Sequence, residues 1–257
     1  MRGLEHQGDG FVVVIPARWG STRLPGKVLA DVCGRSLLAR VHDLAVASGA
    51  ERVLVAVDDD RVEGHARAQG FEVVRTGAHA SGTDRVAAVA AGWATDLRIV
   101  NLQGDAPLID PTAVRAVAEG LRDPAVDVAT ASTPLDPVLQ DDPHVVKVAG
   151  TTFSRAPLPG ARRHLGVYGY RNAALQRWAA APPTVDERRH RLEQLRPLAM
   201  GLRFVVVPVG DTSGPDVDTP ADLVAVRRLF ATRAALDDPT AWSVGTLPSV
   251  LDPGAPA

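Results

Sequence analysis

Three cations, Arg18, Arg23 and Lys27, stand within ten residues on a stretch that also carries Gly20, Ser21, Thr22 and Gly26. Glycines and small hydroxyl residues let backbone N–H groups point inward, and with three cations beside them the stretch is suited to hold a polyanion such as a phosphate chain. It follows Phe11 to Ile15, a run too short for a helix and of the composition expected for a strand buried on both faces of a parallel sheet, which Pro16 is expected to end. Ligands of open α/β sheets bind outside the carboxyl ends of the strands, so the position favours function over an ordinary connection. A second candidate is Asp105, just past the short apolar run Ile99 to Leu102. A carboxylate at the carboxyl end of a central strand, opposite a phosphate loop, is where Mg²⁺ would be wanted, because that ion takes few carboxylates and fills its shell with phosphate oxygens and water. A third is the segment His79 to Arg85, where Ser81, Thr83 and Asp84 can cap a helix whose N-terminus, with Gly82, could accept an anion or a base carbonyl.

The elements that must position these groups follow an alternating pattern. Leu37, Leu38, Val41, Leu44 and Ala45 recur at helical spacing and Gly49 stops that helix; Val53 to Val57 reads as the next strand. His42 within the helix reads as structural. Asp58, Asp59 and Asp60 are explained as the cap of a helix around Val62 to Gln69 and stay outside the expected site. Strands are expected near Phe71 to Arg75, Val126 to Ala131 and Phe204 to Val209, with a helix from Asp110-Pro111 to Leu121 and another opened by Thr219, Pro220 and Asp222.

The 257 residues are 46% hydrophobic and 23% charged, ordinary globular values, and the formal net charge of −2 carries no nucleic-acid footprint. The lone cysteine, Cys33, allows no internal disulfide and lacks an obvious His partner; no Cys/His cluster has zinc spacing. A reducing cytoplasm fits both facts. No run approaches the ~18 apolar residues of a membrane span, and residues 1–10 lack the apolar stretch of a secretory signal. The expected organisation is a flexible 1–10, one catalytic α/β unit over 11–232 and a mobile tail over 233–257. Neither G-x-G-x-x-G nor the P-loop spacing occurs after the first strand, which argues against a nicotinamide dehydrogenase.

The stretch IPAR followed by STRLPGK resembles the nucleotide-binding signature of the CMP-Kdo synthetases, the 3-deoxy-manno-octulosonate cytidylyltransferases. Further segments resemble that family in its order: HASGTDR at 79–85, QGDAP at 103–107, VVKV at 145–148, FSRAPLP at 153–159, RHLGVYGYR at 163–171, LEQLR at 192–196 and VDTPADL at 217–223. The resemblance implies a mixed, mostly parallel sheet with helices on both faces, the Rossmann-like nucleotidyltransferase fold, and an enzyme using CTP and Mg²⁺. It implies that Arg18, Ser21, Arg23, Lys27, Ser81, Arg85 and Gln103 meet the nucleotide, with Arg18, Lys27 and Asp105 catalytic, and that Asp105 and Asp218 hold the metal. The family also places an acidic residue after the strand Val53 to Val57, where Asp58, Asp59 and Asp60 stand. Arg155, His164, Glu193 and Gln194 would meet the acceptor, a small acid; for the first two the warrant is Arg's planar fork and His's directional donor.

Two departures stand beside the match. Ala106 replaces the family's Glu after the Asp, and the connections from VVKV to FSR and from FSRAPLP to RHLG are shorter than the family's, with only Gly160, Ala161 and Arg162 between Pro159 and Arg163. These bear on the acceptor pocket and on dimer contacts; a homodimer is compatible with the sequence. Rival readings are the same transfer to a smaller acid such as phosphonoformate in specialised metabolism, another sugar nucleotidyltransferase, and a non-catalytic nucleotide-binding protein. The first keeps the whole nucleotide half; the second would lack SGTxR, RHLGxYGYR and LEQLR; the last would have no reason to keep Lys27 and both aspartates.

Overall fold

The β-branched run after Phe11 forms β1 (Val12–Ala17), whose first four residues are fully shielded; each such Val or Ile contributes ~1.5–3 kcal/mol by leaving water. The computed structural model describes residues 10–21, 23–210 and 214–235, so the expectations for 1–9, Thr22 and the tail beyond 235 lie outside the described residues. Pro16 does not end the strand as expected. It pairs with Ala56 while the ladder on the other side stops at Val14, so its missing N–H falls where only one neighbour strand remains.

A 3-10 turn over Lys27–Leu29 and a small hairpin, β2 (Asp31–Val32) with β3 (Arg35–Ser36), lead into α1 (Leu37–Ala47). Ser36 caps α1 by accepting from Ala39 N–H at 3.1 Å, and Leu37, Leu38, Val41, Leu44 and Ala45 are its buried face. His42 stacks on Phe71 with ring centroids 3.8 Å apart, a packing role as expected. Next come β4 (Arg52–Val57), α2 (Asp60–Ala68), β5 (Glu72–Arg75), α3 (Gly82–Ala90), β6 (Arg98–Leu102), α4 (Pro111–Gly120) and β7 (Val128–Thr133). Then follow the short pair β8 (Lys147–Ala149) and β9 (Thr152–Ser154), the ten-residue β10 (Arg162–Arg171), α5 (Asn172–Ala180), α6 (Val185–His190), α7 (Leu195–Ala199), β11 (Phe204–Pro208) and α8 (Pro220–Ala235).

The main sheet runs β11-β7-β10-β6-β1-β4-β5, with β8 and β9 added beside β10. The strands β6, β1, β4 and β5 are parallel, as are β11 and β7; β10 runs against both of its neighbours, β6 and β7. One apolar layer joins α1, α2 and α4 to the sheet, and the opposite layer joins α3 and α5. Gly169 permits this on β10, since a Cβ there would stand 2.8 Å from Val117 Cγ1 of α4. The order places β1 between β4 and β6, so the chain leaves β1 in one direction and returns on its other side. That switch point opens a crevice above the carboxyl ends of β1 and β6. Among the described residues no helix is long and apolar enough to cross a membrane.

Candidate active site

The crevice is built by the ends of the strands just described. Gly26, at φ 68°, turns the loop after β1; a Cβ on it would stand 2.7 Å from Trp19 Cη2, so both the backbone and the packing require glycine. The turn buries Lys27, leaving its side chain 8% exposed. All three ammonium protons are used: Nζ donates to Asp105 Oδ2 at 2.6 Å, to Asp218 Oδ1 at 3.0 Å and to Val217 O at 2.8 Å. One cation thus joins the loop after β1, the end of β6 and the approach to α8. Asp105 is fixed further, because its carbonyl accepts from Val217 N–H at 2.8 Å.

Burial alone would lower the Lys27 pKa, but the adjacent Asp105 and Asp218 carboxylates outweigh it and hold the ammonium above the ordinary lysine value. For Asp218 the balance is similar: partial burial would raise its pKa, yet Lys27 and Arg23 keep it below the usual carboxylate range. Arg23 meets Asp218 Oδ2 at 3.0 Å but is itself 59% exposed, so that pair is worth little in water. Asp222, at the third position of α8, accepts from Asp218 N–H at 3.1 Å and from Thr219 N–H at 2.7 Å, while Thr219 Oγ1 caps the helix. The cap therefore aims Asp218 without using its carboxylate.

A cleft enclosing about 140 Å³ opens over these groups, lined by Arg18, Lys27, Ser81, Arg85, Gln103 and Asp105 among others. Gln103 is braced by donating to Asn101 Oδ1 at 3.1 Å. Ser81 closes a reciprocal cap with Asp84 at the start of α3 and donates Oγ–H to Glu193 Oε1 at 3.1 Å. Arg85 is buried on α3 and donates to Thr76 Oγ1 and Asp58 Oδ2, both at 2.6 Å. Ser21 and Arg23 lie on the loop but not in the cleft lining.

The acceptor candidates divide. Glu193 reaches the cleft wall through Ser81, and burial raises its carboxyl pKa. Glu193 and Gln194 lie in the turn that opens α7 rather than within the helix, with Gln194 buried. Arg155 and His164 do not join them. The Arg155 guanidinium donates to the carbonyls of Pro143, His190 and Arg191, so it ties two segments together. His164 is hydrogen-bonded to Thr130 Oγ1 at 2.9 Å between Phe153 and Tyr168, and burial pulls its pKa down to about 3, so the ring is neutral.

Three residues near the crevice were absent from the sequence reading of the site. Asp58 joins Arg85 to the loop after β1, accepting from Trp19 N–H at 3.2 Å. Arg163 donates to Gly214 O at 3.2 Å, within the same segment that delivers Val217 and Asp218 to Lys27. Asp216 lies near Asp105 and Asp218 with its own surface exposed; desolvation by the surrounding protein, then the charge of Asp105, push its carboxyl pKa up, a rise that the open water screens. The Arg-Arg-His order at 162–164 and the Asp-Val-Asp order at 216–218 were the available signals.

The two carboxylates of Asp105 and Asp218 meet at the Lys27 ammonium. Among the described residues no three His, Cys, Asp or Glu side chains converge as a metal site. Two carboxylates with the remaining positions left to phosphate and water is the pattern of Mg²⁺ rather than of a closed structural site.

The cytidylyltransferase family profile matches residues 12–204. The 3-deoxy-manno-octulosonate cytidylyltransferase of Rhizobium etli (strain CIAT 652) is 43% identical over 246 aligned positions, covering 88% of this chain and 97% of the relative. The enzyme of the same name from Halorhodospira halophila (strain DSM 244 / SL1) is 45% identical, covering 87% and 98%. A solved CMP:2-keto-3-deoxy-manno-octonic acid synthetase in complex with CTP superposes with a TM-score of 0.82 at 39% identity, covering 87% of this chain and 99% of that one. Since 88% of 257 residues is about 226, about 20 of the 246 positions aligned to the Rhizobium etli protein fall opposite gaps in this chain.

Proposed function

This chain belongs to the cytidylyltransferase family, and on that premise we propose that it transfers CMP from CTP to 3-deoxy-manno-octulosonate with release of pyrophosphate. The observation that carries the reading is the Lys27 bridge between Asp105 and Asp218 at the floor of a cleft walled by Arg18, Ser81, Arg85 and Gln103. The acceptor rests on the names of relatives at 43% and 45% identity and on Glu193 at the cleft wall.

In this mechanism the acceptor hydroxyl attacks the α-phosphorus in line, the new O–P bond forms, the bond from the α-phosphorus to the α,β-bridging oxygen breaks as pyrophosphate leaves, and the hydroxyl proton passes to water. Positioning and electrostatics carry such a displacement, so no covalent protein intermediate is required. Arg18 and Lys27 neutralise charge on the triphosphate from the loop side, where the loop's N–H groups add partial positive charge. Asp105 and Asp218 would hold Mg²⁺, which when bound supplies Lewis-acid polarisation of phosphate oxygens and a template for the leaving pyrophosphate. Ser81, Arg85 and Gln103 line the remaining wall and would meet cytosine and ribose. For the acceptor carboxylate, Arg163 is the better cation than Arg155: its guanidinium spends one bond on Gly214 O, whereas Arg155 spends three.

A second reading, transfer to a smaller acid such as phosphonoformate, is favoured by the about 20 aligned positions without a counterpart in this chain and by the short connections between Val148 and Arg163. It leaves the nucleotide half unchanged. Thermal shift with each nucleotide and Mg²⁺ tests that half: CTP is expected to raise the melting temperature more than ATP, GTP or UTP. Equal stabilisation by all four would remove cytosine from the cleft.

A further inference from the structure

We infer that Asp58 is a positioning residue that couples the base end of the cleft to the phosphate end. The inference rests on the nucleotide reading of the cleft, and it concerns a residue that the sequence explains away as a helix cap. The cap of α2 is in fact Asp59, which accepts from Arg61 N–H at 2.9 Å. Asp60 pairs with Arg75 on the surface. Asp58 is left over, and its two oxygens go to two different walls.

Oδ2 accepts from Arg85 Nη2 at 2.6 Å, and Arg85, only 4% exposed, lines the cleft on the α3 side. The other arm of the same guanidinium donates to Thr76 Oγ1, which donates to Val57 O at 3.1 Å, immediately before Asp58. Arg85 is thus clamped to the carboxyl ends of β4 and β5. Oδ1 accepts from Trp19 N–H at 3.2 Å. The Trp19 peptide is the pivot of the phosphate loop, because its carbonyl accepts from both Ser21 N–H and Gly26 N–H at 3.0 Å, the two ends of the curve that precedes Lys27. The Trp19 ring is held as well, packed on Gly26 and covered by Arg61, whose guanidinium lies 3.6 Å from the ring centroid and is itself held by Asp59.

One carboxylate therefore fixes a cationic wall residue and the hinge of the cationic loop together. A ligand that settles Arg85 settles Asp58, and a settled Asp58 holds the Trp19 N–H that shapes the loop. Two sites that share one ordering element bind cooperatively, and the coupling is reciprocal. Asp58 is not among the residues that line the cleft, so the role inferred for it runs through Arg85 and Trp19.

The test uses two small probes, cytidine for the base end and pyrophosphate with Mg²⁺ for the phosphate end, titrated by calorimetry alone and each in the presence of the other. In the wild-type chain each probe is expected to tighten the other by about 5-fold or more, the scale of ordinary coupling between sites. In Asp58→Asn, which keeps an acceptor for Trp19 N–H but presents an amide toward Arg85, the factor is expected to fall to about 1 while both probes still bind. A purely structural role would weaken both probes and leave the coupling factor as it was, and that result overturns the inference. The wild-type measurement stands by itself if the variant fails to fold: probes that bind without coupling refute the role of Asp58. Binding of neither probe would refute the nucleotide reading beneath it.

Discussion

Changing Asp105 or Asp218 to asparagine is expected to lower turnover by ~10²-fold or more, and also to lower the melting temperature, because each carboxylate is a charge partner of the buried Lys27 ammonium. Asparagine keeps the size of the side chain and its fitness for turns, and neither residue caps a helix through its carboxylate, since Thr219 and Asp222 do that work for α8. What the change removes is one of two negative charges that converge on the position of Lys27 Nζ. Two carboxylates that serve one ion act as a unit, so the double variant should be little slower than the slower single one, whereas independent contributions would multiply. The measurement is kcat at saturating Mg²⁺ for both singles and the double, with a melting curve on each. Surviving activity in singles that are still folded at the assay temperature would return these residues to pairing with Lys27 and end the metal assignment.

The second large effect is expected at Lys27. Lys27→Ala should cost ~10²-fold or more in kcat, the scale of losing one preorganised charge donor. The structure adds a complication that the sequence does not contain, because the side chain is buried and its ammonium separates Asp105 from Asp218. Alanine therefore deletes packing and leaves two carboxylates facing each other, and a slow variant could simply be a loosened one. Lys27→Met isolates the charge: methionine fills most of the same space without it. Methionine and alanine variants that fall equally in kcat, with the methionine form melting closer to wild type, assign the loss to charge. A methionine variant with near-normal turnover would return Lys27 to a structural role.

Much of the fold could be read from the chain because its strands are short runs of Val, Ile and Leu and its helices open with recognisable caps. Ser81 with Asp84, Asp110 with Pro111, and Thr219 with Asp222 all cap where their spacing indicates. The β2–β3 hairpin was not legible, since two-residue strands carry no periodicity, and it hid the Ser36 cap of α1. Pro16 misled because proline is barred only where a second neighbour needs its N–H, and pairing partners cannot be read from one strand. Of the residues expected to meet the nucleotide, Arg18, Lys27, Ser81, Arg85, Gln103 and Asp105 line one cleft, with Asp218 joined to it through Lys27, whereas Ser21 and Arg23 stay on the loop outside its lining. The acceptor side was less legible. Arg155 has the right chemistry for a carboxylate, but three backbone carbonyls claim it, and only the packing of the 143 and 190–191 segments reveals that. Likewise three adjacent aspartates look alike in a sequence. It takes the end of β4 to send Asp58 inward to Arg85, Asp59 to its helix and Asp60 to the surface.

The central claim is that this cleft joins CMP to an acid, and pyrophosphate release tests it most directly. Purified chain with Mg²⁺ and CTP is assayed alone and with 3-deoxy-manno-octulosonate, phosphonoformate and unrelated sugar acids, with phosphorus NMR to identify the CMP conjugate formed. The account predicts release that requires an acceptor, is fastest with 3-deoxy-manno-octulosonate, and yields the matching conjugate in equal amount. Faster release with phosphonoformate would move the acceptor to the second reading and keep the rest. No acceptor-dependent release from CTP with any acid in the panel, from a chain that still binds CTP, would contradict the account.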